Sequence, residues 1–190
     1  MRVAESSSLT DNDILSLSGE SAIEDVRELT LRGFKLSSFK EHAVKLTGLT
    51  ALSLSHNQLT SLASFSLLTS LSTLNVNANL LTSLRGIEGC TSLRQLYACS
   101  NRLHDLLPLL SLQRLETLAV FGNVIASLDA ALQVLSSLPC LADVSLGGNP
   151  ASTVPGYRQQ LVLQLQALQV LDGEAVTALD WELAHAAWAA

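Results

Sequence analysis

The sequence predicts an α/β solenoid: a curved, right-handed superhelix with a concave parallel β-sheet along one side and helical caps at its ends. Three observations predict it. One apolar motif recurs in register six times, successive copies begin 22 to 26 residues apart, and five of the six copies carry an asparagine at one fixed place. A fixed period of this kind decides the architecture before local propensity does, because each unit buries its apolar face only against the next copy.

Residues 1–25 form an N-terminal segment and helical cap. Its opening, MRVAESSSLTDN, has no apolar stretch of the kind a secretion signal needs. Within residues 9–24, Thr10 or Asp11 starts a helix, and Ile14, Leu15 and Leu17 supply an underside to close the first coil. Residues 26–150 hold the six repeats of the template Leu-x-x-Leu-x-Leu-x-x-Asn-x-Leu-x-x-Leu. The second copy shows it in full, as Leu49, Leu52, Leu54, Asn57, Leu59 and Leu62. The copies start at Val26, Leu49, Leu71, Leu93, Leu115 and Leu141, giving steps of 23, 22, 22, 22 and 26 residues. This is a leucine-rich repeat.

Each position has a physical reason. Leucines at the fourth and sixth places flank an outward residue, the period of two that marks a short strand. Asn57, Asn79, Asn101, Asn123 and Asn149 stand where the chain leaves the strand. There a side-chain amide can satisfy backbone groups of its own and the neighbouring coil. In the first copy Phe34 takes that place, which a terminal coil with no upstream neighbour tolerates. The returning halves, such as SFSLLTS and GIEGCTS, are too short for more than a turn or two of helix. The longer LDAALQVLSSLPC link forms a convex helix that ends before Pro139.

Residues 151–177 form a C-terminal cap in which Tyr157, Leu161, Leu165, Leu168, Leu171 and Val176 make an apolar set along a helix and then a strand. Residues 178–190, ALDWELAHAAWAA, read as a helical tail or the start of a longer region. Trp181, Leu183 or Ala184, and Trp188 line one face of that helix.

The 22-residue step, Asn149-Pro150, the pair Tyr157-Arg158 and the run LQVLDG from Leu168 to Gly173 carry a resemblance. They resemble the repeats and cap of an intracellular leucine-rich-repeat family like the long phosphatase-1 regulator. That family includes axonemal dynein light chain 1, ciliary and centrosomal scaffolds and the spliceosomal A-prime protein. RELTLRGFKL, from Arg27 to Leu36, is similar to the first repeat of the spliceosomal member. Gln166 departs from the family cap, which commonly has proline there. The resemblance implies a binding module with a protein partner.

Composition narrows the function classes. Apolar residues make up 48% of the chain and charged ones 15%, against about 25% charged in a typical soluble domain. No apolar run reaches the length of a spanning helix, so the hydrophobicity belongs to a core and no membrane role is expected. A net charge of −6, with scattered lysines and arginines, argues against direct nucleic-acid binding. Cys90, Cys99 and Cys140 match neither a zinc spacing nor a disulfide framework. His42, His56, His104 and His185 share no metal spacing, and no phosphate loop or nucleophile motif is present. No cofactor, metal or catalytic activity is expected.

The outward strand residues predict the binding face. They fall in three columns: Glu28, Ala51, Thr73, Gln95, Thr117 and Asp143; then Thr30, Ser53, Asn75, Tyr97, Ala119 and Ser145; then Arg32, Ser55, Asn77, Cys99, Phe121 and Gly147. Tyr97 and Phe121 are the aromatics of a small, neutral face around Cys99 and Ala119. Asn75 and Asn77 offer hydrogen bonds, and Arg32 a charged rim. The expected function is a non-catalytic scaffold, monomeric by itself, that binds a partner helix or peptide on this face. Two settings stay open: a cytoplasmic one, cytoskeletal, ciliary, flagellar or centrosomal, and a nuclear one as a ribonucleoprotein subunit. A phosphatase regulator is a third alternative.

Overall fold

A computed structural model describes residues 9–188; the start of the N-terminal segment and Ala189–Ala190 lie outside the described residues. Six short strands, β1 (Glu28–Thr30), β2 (Ala51–Ser53), β3 (Thr73–Asn75), β4 (Gln95–Tyr97), β5 (Thr117–Ala119) and β6 (Asp143–Ser145), pair in parallel and in sequence order. Two more, β7 (Val170–Leu171) and β8 (Glu174–Ala175), extend the same sheet, the last one antiparallel. The sheet is open and its strands step up one residue column at a time, which makes the chain a curved leucine-rich-repeat solenoid.

The inward leucines stack into one continuous core that runs from Leu9 to Ala184. Leu29, Leu52, Leu74, Leu96, Leu118 and Val144, at the centre of each strand, are all buried. The chain cannot leave the strand without burying polar backbone, and the asparagines answer that problem in one repeated geometry. Asn101 is typical: its Nδ2 donates to Val76 O at 3.0 Å and Ala98 O at 3.1 Å, and its Oδ1 accepts from Leu81 N–H at 3.0 Å. Asn57, Asn79, Asn123 and Asn149 repeat the pattern one coil apart. Carbonyls of Leu54, Val76, Ala98 and Val120 each accept from two successive asparagines, using both lone pairs. Each amide reaches back to the preceding coil. Phe34 has no such coil behind it and lies 43% exposed.

The residue before each asparagine turns the chain with a left-handed backbone: His56, Ala78, Ser100, Gly122 and Gly148, with Gly33 at the same place in the first coil. Where this residue is not glycine the conformation costs roughly 1–2 kcal/mol, which the ladder of bonds beside it offsets.

On the convex side the coils close with single turns. A short helix α2 (Lys40–Ala43) serves the first coil, and three-residue-per-turn segments at Phe65–Leu67 and Leu107–Ser111 serve the second and fourth. The third coil has no helical turn there and approaches the second coil closely at two glycines. A Cβ at Gly86 or Gly89 would overlap the backbone of Leu62 or Ser66. The longer fifth link holds α3 (Leu128–Leu135), N-capped by Ser127, ending before Pro139.

Both ends are covered. Helix α1 (Asp11–Ser18) begins with Thr10 and Asp13 in a reciprocal capping box and buries Ile14, while Lys45 of the first coil pairs with Asp11 at 2.6 Å. Leu15 is partly buried, but Leu17 is 49% exposed and belongs to no underside. Leu17 follows Ile14 by three positions in the last turn of a helix that ends at Ser18, yet it stays in water. At the other end α4 (Tyr157–Gln164) buries Leu161, and a hairpin turns through Asp172 and Gly173, both left-handed, between β7 and β8. Asp172 Oδ1 accepts from Leu146 N–H and Gly147 N–H, each at 2.8 Å, and its Oδ2 accepts from the Tyr157 hydroxyl at 2.9 Å. The tail helix α5 (Ala178–Trp188) packs on α4 through Ala184, not Leu183, which is half exposed. Arg158 clamps it, donating to both oxygens of Asp180 at 2.6 and 3.0 Å. That contact holds the Asp180 carboxyl well below the usual carboxylate range. The side chain of Trp188 is outside what the structure describes.

Two outcomes follow for stability. Asn101→Ala leaves the Leu81 N–H buried without an acceptor and is expected to lower unfolding free energy by about 1–3 kcal/mol in urea titrations. Asn101→Asp is expected to be no better, since a carboxylate oxygen would face the Val76 and Ala98 carbonyls. Gly89→Ala, a change of one methyl on the convex side, is expected to cost about 1–3 kcal/mol by overpacking against Ser66; an unshifted urea midpoint would show that the coils slide apart freely there.

Candidate protein-binding surface

The strand registers place the outward columns side by side. Thr30, Ser53, Asn75, Tyr97, Ala119 and Ser145 are successive cross-strand partners, as are Glu28, Ala51, Thr73, Gln95, Thr117 and Asp143. The third column continues past the strand ends: carbonyls of Ser55, Asn77, Cys99, Phe121 and Gly147 each accept a backbone N–H from the preceding coil. The sheet thus presents a regular outward grid on its concave side.

Tyr97 sits in β4, half-buried between Asn75 and Ala119. Phe121 lies two residues beyond Ala119 and is 51% exposed. Its ring lies over the Gly147-Gly148 backbone, where a Cβ at Gly148 would stand 3.1 Å from Phe121 Cζ. A side chain there would press on the ring, and Gly148 adopts φ 68°, which favours glycine in any case. The two aromatics share the patch without stacking: the described ring contacts are Phe39–His42, Phe39–Phe65 and Trp181–His185.

The polar candidates are partly committed. Asn75 Oδ1 accepts from Asn77 N–H at 3.0 Å, and Asn77 Oδ1 accepts from Cys99 N–H at 2.6 Å. Both oxygens serve the sheet edge, and the Nδ2 groups are what the pair can offer a ligand. Cys99 is half-buried, and burial pushes its thiol pKa up, so it fills space between Tyr97 and Phe121 without being a reactive thiolate. Arg32 is exposed at the far, N-terminal edge, four coils away from Phe121. The structure therefore brings Tyr97, Cys99, Asn77 and Phe121 together, sets Asn75 beside them, and leaves Arg32 apart.

Three features of the surface went unread in the sequence. Leu80 and Val124, each directly after a ladder asparagine, are 38% and 51% exposed on the edge beyond the third column. The signal was present, an apolar residue at a place where Gln58 and Arg102 are polar. Gly147-Gly148 was legible as a turn, but not as the bed of an aromatic ring. Asp143, on the first column, is half-buried; burial raises its carboxyl pKa, and no hydrogen bond or ion pair from a described residue reaches that carboxyl.

Among the described residues no group of three or more His, Cys, Asp or Glu side chains is placed to hold a metal ion. His56 is exposed at a left-handed turn, His104 lies at the surface beside Asp105, and His185 is against Trp181. Among those residues, too, no helix is long and apolar enough to cross a membrane.

The comparisons with known proteins agree with this geometry. The chain is similar to internalin C2 of Listeria monocytogenes, with 29% identity over 78% of this chain and 63% of that one and a TM-score of 0.67. It is similar to a leucine-rich-repeat protein of Leptospira interrogans, with 25% identity, 77% and 37% coverage, and a TM-score of 0.68. A chain of the Drosophila melanogaster SNF/U2A' complex matches at 25% identity over 90% of this chain and 88% of that one, with a TM-score of 0.53. The chain thus spans less than two thirds of the bacterial relatives and most of the insect one. Proteins of this architecture are in general protein-interaction modules and typically non-catalytic. The leucine-rich repeat family model matches residues 13–130, and the chain belongs to the leucine-rich repeat family.

Proposed function

We propose that the chain is a non-catalytic scaffold, monomeric by itself, that takes a helix or extended peptide of a partner protein on its concave sheet. Phe121 carries the reading. Folding leaves this ring half in water while seating its other side on glycine backbone. Covering it recovers up to about 1.5–3 kcal/mol of transfer free energy, and a rigid ring in a small-residue setting is the common centre of a protein interface. Tyr97, Cys99, Ala119 and the Asn77 amide surround it. Arg32 contributes only to a partner long enough to cross the whole sheet.

The cytoskeletal, ciliary or centrosomal setting rests on the repeat step and the cap residues Tyr157, Arg158 and Leu168 to Gly173. A specific observation favours the second reading, a subunit of a nuclear ribonucleoprotein. The match to the SNF/U2A' complex chain covers 90% of this chain and 88% of that one, more of both than the matches to internalin C2 and the Leptospira protein do. In that setting the chain would clasp a protein and touch little RNA, consistent with its net charge of −6. Phosphatase regulation has only the repeat resemblance behind it.

Capture from a native lysate with the wild-type chain and the Tyr97→Ala, Phe121→Ala double variant separates these readings. A defined set of proteins is expected on the wild type and missing from the variant. Spliceosomal proteins with copurifying RNA would select the nuclear reading; axonemal, centriolar or tubulin-related proteins would select the cytoplasmic one. Identical sets on both baits would refute the concave site.

A further inference from the structure

Five carboxylates of the described residues are half-buried, and four of them are held. Asp11 pairs with Lys45, Asp105 accepts from Leu107 N–H, Glu116 pairs with Arg94, and Asp180 is clamped by Arg158 and Thr177. Asp143 has neither a hydrogen bond nor an ion pair from any described residue. Its cross-strand neighbours are Thr117 and Val170, and the next outward residues along the strands are Ala119 and Ser145, all too short to cover it. Arg94, at the entry to β4, is occupied by Glu116. Across the three outward columns the only cation is Arg32, on the first coil, whereas Glu28 and Asp143 are both anionic. A partly desolvated, unpaired charge is unfavourable, and folding alone gives no reason to keep one here.

The position gives a reason. Asp143 stands four residues before Gly147, the glycine beneath the Phe121 ring, on the same coil; at the rise of a strand this is about 13 Å. We propose that Asp143 is the specificity-determining charge of the concave surface, accepting a lysine or arginine from a partner whose apolar side chain covers Phe121. The proposal rests on the concave reading above and adds the partner's chemistry: a basic residue and an apolar one about 13 Å apart, on a helix or an extended segment. An acidic chain of net charge −6 also draws a basic partner electrostatically.

The test uses displayed libraries of random linear and helix-constrained peptides, selected on the full chain. Wild type is expected to enrich peptides with a fixed Lys or Arg. Asp143→Asn, nearly isosteric, is expected to bind those peptides about tenfold more weakly, the size of a lost charge-assisted hydrogen bond, and Asp143→Lys to enrich acidic residues instead. Thermal unfolding of Asp143→Asn is expected at or above the wild-type midpoint, since an unpaired charge has been removed; a lowered midpoint would reveal an internal partner and overturn the proposal. Peptides lost on Phe121→Ala but bound equally by Asp143→Asn would overturn this proposal and leave the concave site standing. Peptides indifferent to both substitutions, or no enrichment at all, would overturn both.

Discussion

The asparagine ladder is the constraint on which the rest of this molecule depends. Every coil must turn off its strand next to a packed neighbour, where water is excluded and an unmet backbone group is costly. One amide, with two donors and a two-lone-pair oxygen, satisfies a carbonyl of its own coil, a carbonyl of the preceding coil and an N–H of the preceding coil. Coil spacing, turn geometry and step length are then no longer independent. The left-handed residue before each asparagine, the parallel register of the strands and the tight return path all follow from placing that amide between two coils. A solenoid built this way has mainly nearest-neighbour contacts, so its stability is local and its ends need special treatment.

The ends show what the ladder requires when it runs out. At the first coil a helix and not another repeat lies upstream, and an exposed phenylalanine, Phe34, stands at the asparagine position. At the last coil the need is reversed. The N–H of Leu146 matches those of Leu54, Val76, Ala98 and Val120, which donate to a carbonyl of the next strand; here the chain has turned into the hairpin after Leu171, and the Asp172 carboxylate takes that N–H and the one of Gly147. Asp172 serves both and takes the Tyr157 hydroxyl as a third donor, which ties α4 to the hairpin. Arg158, one residue later, extends the fastening to Glu174, Ala175 and Asp180 and holds the tail helix down.

How much of this was legible depended on whether a residue acts within the repeat or across space. Strand leucines, ladder asparagines, the Thr10 cap and the α3 link could be read because each follows from local period or local hydrogen bonding. Tyr157, Arg158 and Asp172 were locatable by resemblance, but their mutual bonds were not, because fifteen or more residues of chain separate Tyr157 from its partner Asp172. The missing helical turn of the third coil lay hidden for a similar reason. GIEGCTS read only as a return too short for more than a turn or two, and nothing local in it shows Leu62 and Ser66 pressed against Gly86 and Gly89. Leu17 was misplaced because helical spacing alone does not say which turn of a short helix meets the core.

The outward grid is different in kind, since stacking leaves it almost unconstrained and any residue compatible with a strand will do. Departures from blandness there are consequently informative. Three occur within the last two repeats: a half-exposed phenylalanine, two consecutive glycines beneath it, and a half-buried aspartate that no described residue neutralises. Gly147 has an ordinary backbone, so conformation does not demand glycine; a Cβ there would instead come within 3.3 Å of Asp172 and 3.4 Å of the Phe121 ring. None of these features strengthens the ladder or the core, and the unpaired charge works against the folded state. An exposed ring on the fifth coil, with a glycine bed and a carboxylate on the sixth, is what the proposed ligand would meet, and it lies in the C-terminal half of the concave sheet rather than at its centre.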